Sequence, residues 1–127
     1  MSVKILTVDD SKMVRMVVAN TFQAYDCQVI GAGDGEEGVE VALREKPDLI
    51  LLDITMPKLN GIETLTKIRA TADIAQIPVV MLTAESDGER LGMADKLKVS
   101  GYIAKPFKAD QLIELTKSIV ALNPKAS

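Results

Sequence analysis

VKILTVDDS at Val3–Ser11 and LILLDITMP at Leu49–Pro57 decide the fold. Each is a short apolar run that stops abruptly at aspartate, as expected of a strand covered on both faces, and the stretches between such runs follow a helical period. Lys12–Ala24 leaves the first run as a helix, with Val14, Val17, Val18 and Thr21 on one face. Gln28–Gly31 is a second strand. Asp34, with Glu37 three residues on, caps a second helix, buried through Val39, Ala42 and Leu43 and stopped at Lys46–Pro47. Beyond Leu49–Leu52 and the turn ITMPKLN, Asn60 and Glu63 cap a third helix whose inner side is Ile62, Leu65 and Ile68. Pro78–Leu82 is a fourth strand ended by Thr83, and Ser86 and Glu89 cap a fourth helix at Leu91–Lys98. Gly101–Ala104 is a fifth strand ended by Lys105–Pro106; Leu112, Leu115, Ile119 and Leu122 line a last helix that Pro124 closes. Strand and helix alternate without a linker. The expectation is an α/β chain: one domain over residues 1–127, five βα repeats around a doubly wound parallel sheet.

Composition removes whole classes of function. The 127 residues are 47% apolar, enough for one buried core and too much for a disordered chain. No apolar run approaches the roughly 18–20 residues a bilayer span needs, and MSVKILTVDD lacks a signal-peptide pattern. Fifteen Lys and Arg against 18 Asp and Glu make no basic field, so neither nucleic acid nor a membrane surface is an expected partner. One cysteine, Cys27, forms no internal disulfide, which fits the cytoplasm, and reads as a small buried hydrophobe. There is no histidine, which excludes imidazole acid–base chemistry, Ser–His triads and His-ligated zinc. Chemistry is left to carboxylates, hydroxyls and lysine. GAGDGEEG at 31–38 follows the wrong strand and has the wrong spacing for a dinucleotide loop, and reads as a turn and cap. Met13, Met16, Met81 and Met93 read as core filler, and Phe107 as a packing anchor. Gly88 and Gly92 each cost about 0.5–1 kcal/mol in the fourth helix, marking it as the element most easily displaced.

In open parallel sheets ligands bind at the carboxyl ends of the strands. Those ends carry Asp9 and Asp10, Asp53, Thr83 and Lys105. Taken singly, each is an ordinary turn former, cap or surface charge. Together they place three carboxylates, a hydroxyl and an ammonium in one crevice. Carboxylates that close disfavour ionisation unless a cation joins them, and Mg²⁺ is the hard, oxygen-seeking cation that also keeps phosphate in its shell. Lysine and threonine can hold phosphoryl oxygens, and a carboxylate can attack phosphorus to give an aspartyl-phosphate.

From VKILTVDDS through LILLDITMP and VVMLTA to GYIAKPF, the chain resembles the receiver domain of two-component response regulators, in particular single-domain CheY-like chemotaxis regulators. The resemblance implies the flavodoxin-like strand order 2-1-3-4-5. It implies that Asp53 is the phosphoacceptor, and that Asp10, Asp53 and the backbone carbonyl of Thr55 ligate Mg²⁺, with Asp9 acting through a water. Thr83 and Lys105 would contact the phosphoryl group, and Tyr102 would be the switch aromatic that turns inward as Thr83 moves. A cis peptide is implied at Lys105–Pro106. Thr55 and Glu85 occupy positions that tune hydrolysis in the family, and LKVSG before the fifth strand departs from its usual small, Gly/Ala-rich segment.

The expected function is therefore a phosphoacceptor switch, not an enzyme. A sensor histidine kinase or phosphotransfer protein would be the donor. A motor switch or other effector would dock on the face of the fourth helix, fifth strand and fifth helix of a monomer without an output domain. A Mg²⁺-dependent phosphohydrolase with an aspartyl intermediate is the alternative, but VDDS lacks its D-x-D. A pseudo-receiver, a flavin module and a receiver cut from a longer regulator are the other readings.

Overall fold

The computed structural model describes residues 3–54, 56, 60–84 and 88–125, without the side chains of Glu89 and Arg90. The elements run β1 (Val3–Val8), α1 (Lys12–Thr21), β2 (Cys27–Ala32), α2 (Gly35–Glu45), β3 (Leu49–Asp53), α3 (Gly61–Ala70), β4 (Val79–Thr83), α4 (Gly88–Lys96), β5 (Gly101–Ala104) and α5 (Ala109–Ile119). All strand pairs are parallel and the sheet order is β2-β1-β3-β4-β5. The chain steps outward from β1 to β2 and then crosses back to β3 on the other side. The switch in strand order thus falls between β1 and β3, where a crevice opens at the carboxyl ends.

β3 and β4 are buried throughout, which explains why they read as unbroken apolar runs. Alternate residues feed two layers. Ile5, Leu49, Leu51, Val80, Leu82 and Ile103 meet α1 and α5 on one face. Leu6, Val8, Ile50, Leu52, Val79 and Met81 meet α2, α3 and α4 on the other. Each such aliphatic side chain removed from water contributes about 1.5–3 kcal/mol.

Caps end the helices where the sequence places them. The Asp34 side chain accepts from the Glu37 amide at 2.8 Å, while Glu37 Oε1 accepts from the Gly33 amide at 2.5 Å, so GAGDGEEG is a turn and cap. Asn60 and Glu63 form a reciprocal capping box. Lys46 takes a left-handed φ of 46° at the end of α2.

Several expectations are corrected. α1 stops at Thr21, not Ala24, and buries Val18 and Phe22 with Val14 half-buried; Val17 is 45% exposed. Positions 14, 18 and 22 lie four apart on one stripe, and position 17 falls about 100° off it. Met13 and Met16 flank the same stripe and are 74% and 55% exposed, so of the methionines expected in the core only Met81 is there; Met93 on α4 is 54% exposed. Leu43 of α2 is exposed, because Gly35, Gly38, Val41 and Ala42 form the inner face. Cys27 is half-buried, and burial pushes its thiol pKa up. α4 spans Gly88–Lys96, not Leu91–Lys98: tighter turns put the Leu97 amide on Ala94 and the Lys98 amide on Asp95, and Lys98 turns left-handed at φ 58°. The expected caps Ser86 and Glu89 fall on a residue and a side chain outside those described. Among the described residues no helix is long and apolar enough to cross a membrane.

Candidate phosphoryl and metal site

The register brings the strand ends together. Val8 lies beside Leu52, Asp53 beside Leu82 and Thr83 beside Ala104, so Asp9, Asp53, Thr83 and Lys105 share one edge. The Lys105 amide donates to the Thr83 carbonyl at 2.7 Å, and the Lys105–Pro106 peptide is cis. Asp9, Asp10 and Asp53 each bring a carboxylate oxygen within 4.8 Å of the others. Asp9 and Asp53 are buried, whereas Asp10 is exposed at the mouth. Of the adjacent pair Asp9–Asp10 at the end of β1, only the first is enclosed by the fold.

Lys105 Nζ sits 2.8 Å from Asp9 Oδ2 and 3.1 Å from Asp53 Oδ1. Burial works to lower its pKa, but the Asp9 hydrogen bond and the charges of Asp53 and Asp9 outweigh it and hold it above the usual lysine range. The ammonium therefore stays charged and bridges the two buried carboxylates. Asp9 is engaged on every polar atom. Its amide donates to the Ala32 carbonyl at 3.0 Å, and its Oδ1 accepts from the Ser11 amide at 2.9 Å. Its Oδ2 takes Lys105, and its carbonyl accepts from Arg15 Nη1 at 2.6 Å. This immobility fits a residue that supports the site more than one that swings onto an ion.

Asp53 is aimed by α3. A Cβ built on Gly61 would stand 2.2 Å from the Asp53 carbonyl oxygen and 2.6 Å from Ile54 Cα. The Gly61 amide also donates to the Ile54 carbonyl at 2.7 Å. Only glycine lets the helix start press this closely on the backbone after Asp53. The Thr83 hydroxyl reaches the Ile103 carbonyl at 3.5 Å, at the limit of a hydrogen bond, so it gives up little by turning elsewhere. Tyr102 lies against α4, its hydroxyl donating to the Leu91 carbonyl at 3.2 Å and closely to Asp95 Oδ1. Burial and then Asp95 push its phenol pKa up to about 12. Thr55 and Glu85 lie outside the described residues.

Two arginines were not singled out from the sequence. Arg15 holds the Asp9 carbonyl. Arg69 bonds the carbonyls of Ala75 and Ile77 before β4 and of Leu97 and Lys98 before β5, tying those loops together.

The family model of the response regulator receiver domain matches residues 5–117. The chain belongs to that family. The receiver is 35% identical over 120 residues to the alkaline phosphatase synthesis transcriptional regulatory protein PhoP of Bacillus subtilis, a match covering 94% of this chain and 49% of PhoP. It is 36% identical over 111 residues to the transcriptional regulatory protein PdtaR of Mycobacterium tuberculosis, covering 87% and 53%. The receiver spans about half the length of these curated relatives. Among solved structures it superposes on the chemotaxis protein CheY4 of Vibrio cholerae with a TM-score of 0.88 and 29% identity, over 94% of this chain and 100% of that one. The chain is thus a two-component receiver of the CheY fold, while its curated relatives carry names from transcription. Those names lend no support to the expectation that nucleic acid plays no part.

Proposed function

We propose that this receiver is a phosphorylation switch in which Asp53 accepts a phosphoryl group from a phosphohistidine on a sensor kinase or phosphotransfer protein. The carrying observation is Lys105 lodged between Asp9 and Asp53, with three carboxylate oxygens within 4.8 Å of one another. This all-oxygen donor set fits a hard cation. Asp10, Asp53 and the Thr55 carbonyl would hold Mg²⁺, with Asp9 supporting the site through a water, and the ion when bound neutralises charge on phosphoryl oxygens. An Asp53 carboxylate oxygen attacks phosphorus, a P–O bond forms, the P–N bond breaks, and its electron pair leaves with the imidazole. Lys105 stays protonated to hold a phosphoryl oxygen, and the Thr83 hydroxyl turns from Ile103 to donate to another. That turn vacates space beside β5 and frees Tyr102 to leave Leu91 and Asp95. The face of α4, β5 and α5 then differs between the two states, and a protein target binds one of them better. The chain turns over no other substrate.

A CheY-like role, with the receiver acting on a protein target, is supported by the likeness to the chemotaxis protein CheY4. A second reading is favoured by the relatives that are twice as long: the same switch governing an output on transcription.

The switch is tested by recording amide spectra while the protein is phosphorylated by an acyl phosphate with Mg²⁺. Resonances of Thr83, Leu91, Asp95 and Tyr102 are expected to move together with Asp53. A spectrum that changes at Asp53 and its neighbours while Leu91 and Asp95 stay still would remove the proposed transmission.

A further inference from the structure

From the contacts of the β1–α1 turn, we infer that Arg15 is a positioning residue for the metal site: it sets the direction in which Asp10 leaves the strand. The inference rests on the reading that Asp9, Asp10 and Asp53 hold Mg²⁺. Two of those three carboxylates sit on consecutive residues of one turn, between the last residue of β1 and the cap of α1. Like-charged carboxylates repel, so without a cation such a turn opens unless something holds it. Asp9 is held by its side chain through Ser11 and Lys105. Asp10 is exposed, and its direction depends on the peptide plane that joins it to Asp9.

Arg15 grips that plane. From the second turn of α1 its Nη1 reaches back six residues to the Asp9 carbonyl at 2.6 Å. The Asp9 amide is tied to β2 through Ala32, and the Ser11 hydroxyl caps α1 through the Val14 amide at 3.2 Å. The turn is thereby fixed on the strand side, on the helix side and at the peptide between its two acids. β2 makes room for the reach. A Cβ on Gly31 would stand 3.2 Å from Arg15 Cδ, tighter than an ordinary contact. The arginine stem therefore runs over a strand position that carries no side chain.

The sign of the effect separates positioning from simple charge. A cation beside a cation site repels the ion, so on charge alone removing Arg15 should tighten Mg²⁺ binding. Positioning predicts the reverse, since groups that only orient metal ligands commonly hold about tenfold or more of the affinity.

The test is calorimetric titration of Mg²⁺ into wild type, Arg15→Met and Arg15→Lys, with melting curves to show that each is folded and amide spectra of Asp10 and Ser11. Methionine keeps the apolar stem over Gly31 and loses the donor; lysine keeps the charge but not the planar fork. Arg15→Met is expected to weaken binding about tenfold, with displaced Asp10 and Ser11 resonances, and Arg15→Lys to fall between it and wild type. Unchanged or tighter binding by Arg15→Met overturns the inference, as does weaker binding with Asp10 and Ser11 unmoved. If Arg15→Met does not fold, Arg15→Lys decides, and wild-type affinity there overturns the inference. A wild type that binds no Mg²⁺ removes the metal reading itself and this inference with it.

Discussion

Asp53→Asn should make the metal-free protein more stable while abolishing its function. Asn is isosteric with Asp, so packing is kept and only charge changes. Asp53 brings an oxygen within 4.8 Å of those of Asp9 and Asp10. At an effective dielectric near 20, each such repulsion costs about 3 kcal/mol. Against them stands the Lys105 ammonium at 3.1 Å, whose attraction is about 5 kcal/mol on the same scale. Asp10 is exposed, so its share is reduced by solvent and salt. Relief of the burial of a carboxylate whose side chain is only 8% exposed acts in the other direction. The balance favours the neutral side chain by about 1–2 kcal/mol, or roughly 3–8 °C in Tm for a domain of this size. The assay is thermal unfolding in the presence of a chelator. Added Mg²⁺ should then stabilise wild type by mass action and leave Asp53→Asn nearly unmoved, closing or reversing the gap. If Asp53→Asn melts at or below wild type in chelator, the three carboxylates do not strain the site and the electrostatic account fails.

Three further outcomes follow from the same structure. Gly61→Ala would place its Cβ 2.2 Å from the Asp53 carbonyl oxygen, so it should cost about 3 kcal/mol or more in denaturant melts and slow phosphorylation of Asp53; a near-neutral effect would mean α3 does not press on that backbone. Gly92→Ala meets nothing within 4 Å and should stabilise α4 locally by about 0.5–1 kcal/mol, seen as slower amide exchange there; unchanged exchange, or α4 already as protected as α3, contradicts the picture of a loosely held helix. For Tyr102 the folded pKa, about 12, lies above the unfolded value near 10, so its contribution to stability is present below pH 10 and is lost as pH rises towards 12. Tyrosinate absorbance should show a component near 12 that vanishes in Tyr102→Phe, and its persistence in that variant would place the effect elsewhere.

Much of the fold was legible because fully covered strands carry their own signal. Leu49–Leu52 and Val79–Leu82 are apolar at every position because both faces of the sheet are buried. The caps at Asp34 and Asn60 were legible for a similar reason, since each is a local hydrogen bond between side chain and amide. Strand order was not in the residues; it came with the family resemblance, and the pairing of β1 with both β2 and β3 agrees with it. Which way an apolar helix residue points was harder to read. Met13, Met16 and Val17 are as apolar as Val14 and Val18, but α1 touches the sheet along a narrow stripe and leaves the former three outside.

The same division holds at the site. Asp9, Asp53, Thr83 and Lys105 could be found because each terminates a strand, and parallel register aligns those ends. The unequal burial of Asp9 and Asp10 was not visible, because β1 is covered on both faces as far as Asp9 and the chain comes out to solvent only at the turn. Arg15 and Arg69 were missed for a different reason. Both donate to backbone carbonyls, which every residue possesses and no residue pattern marks.

The central claim is that Asp53 takes a covalent phosphoryl group, and intact mass reads this directly. Wild type and Asp53→Asn are incubated with Mg²⁺ and a small acyl phosphate, and parallel samples receive a chelator. Wild type with Mg²⁺ should gain the mass of one phosphoryl group, with the label on the peptide containing Asp53, and the other samples should gain nothing. A wild type that stays unmodified, or an Asp53→Asn that is labelled as readily, would contradict the account.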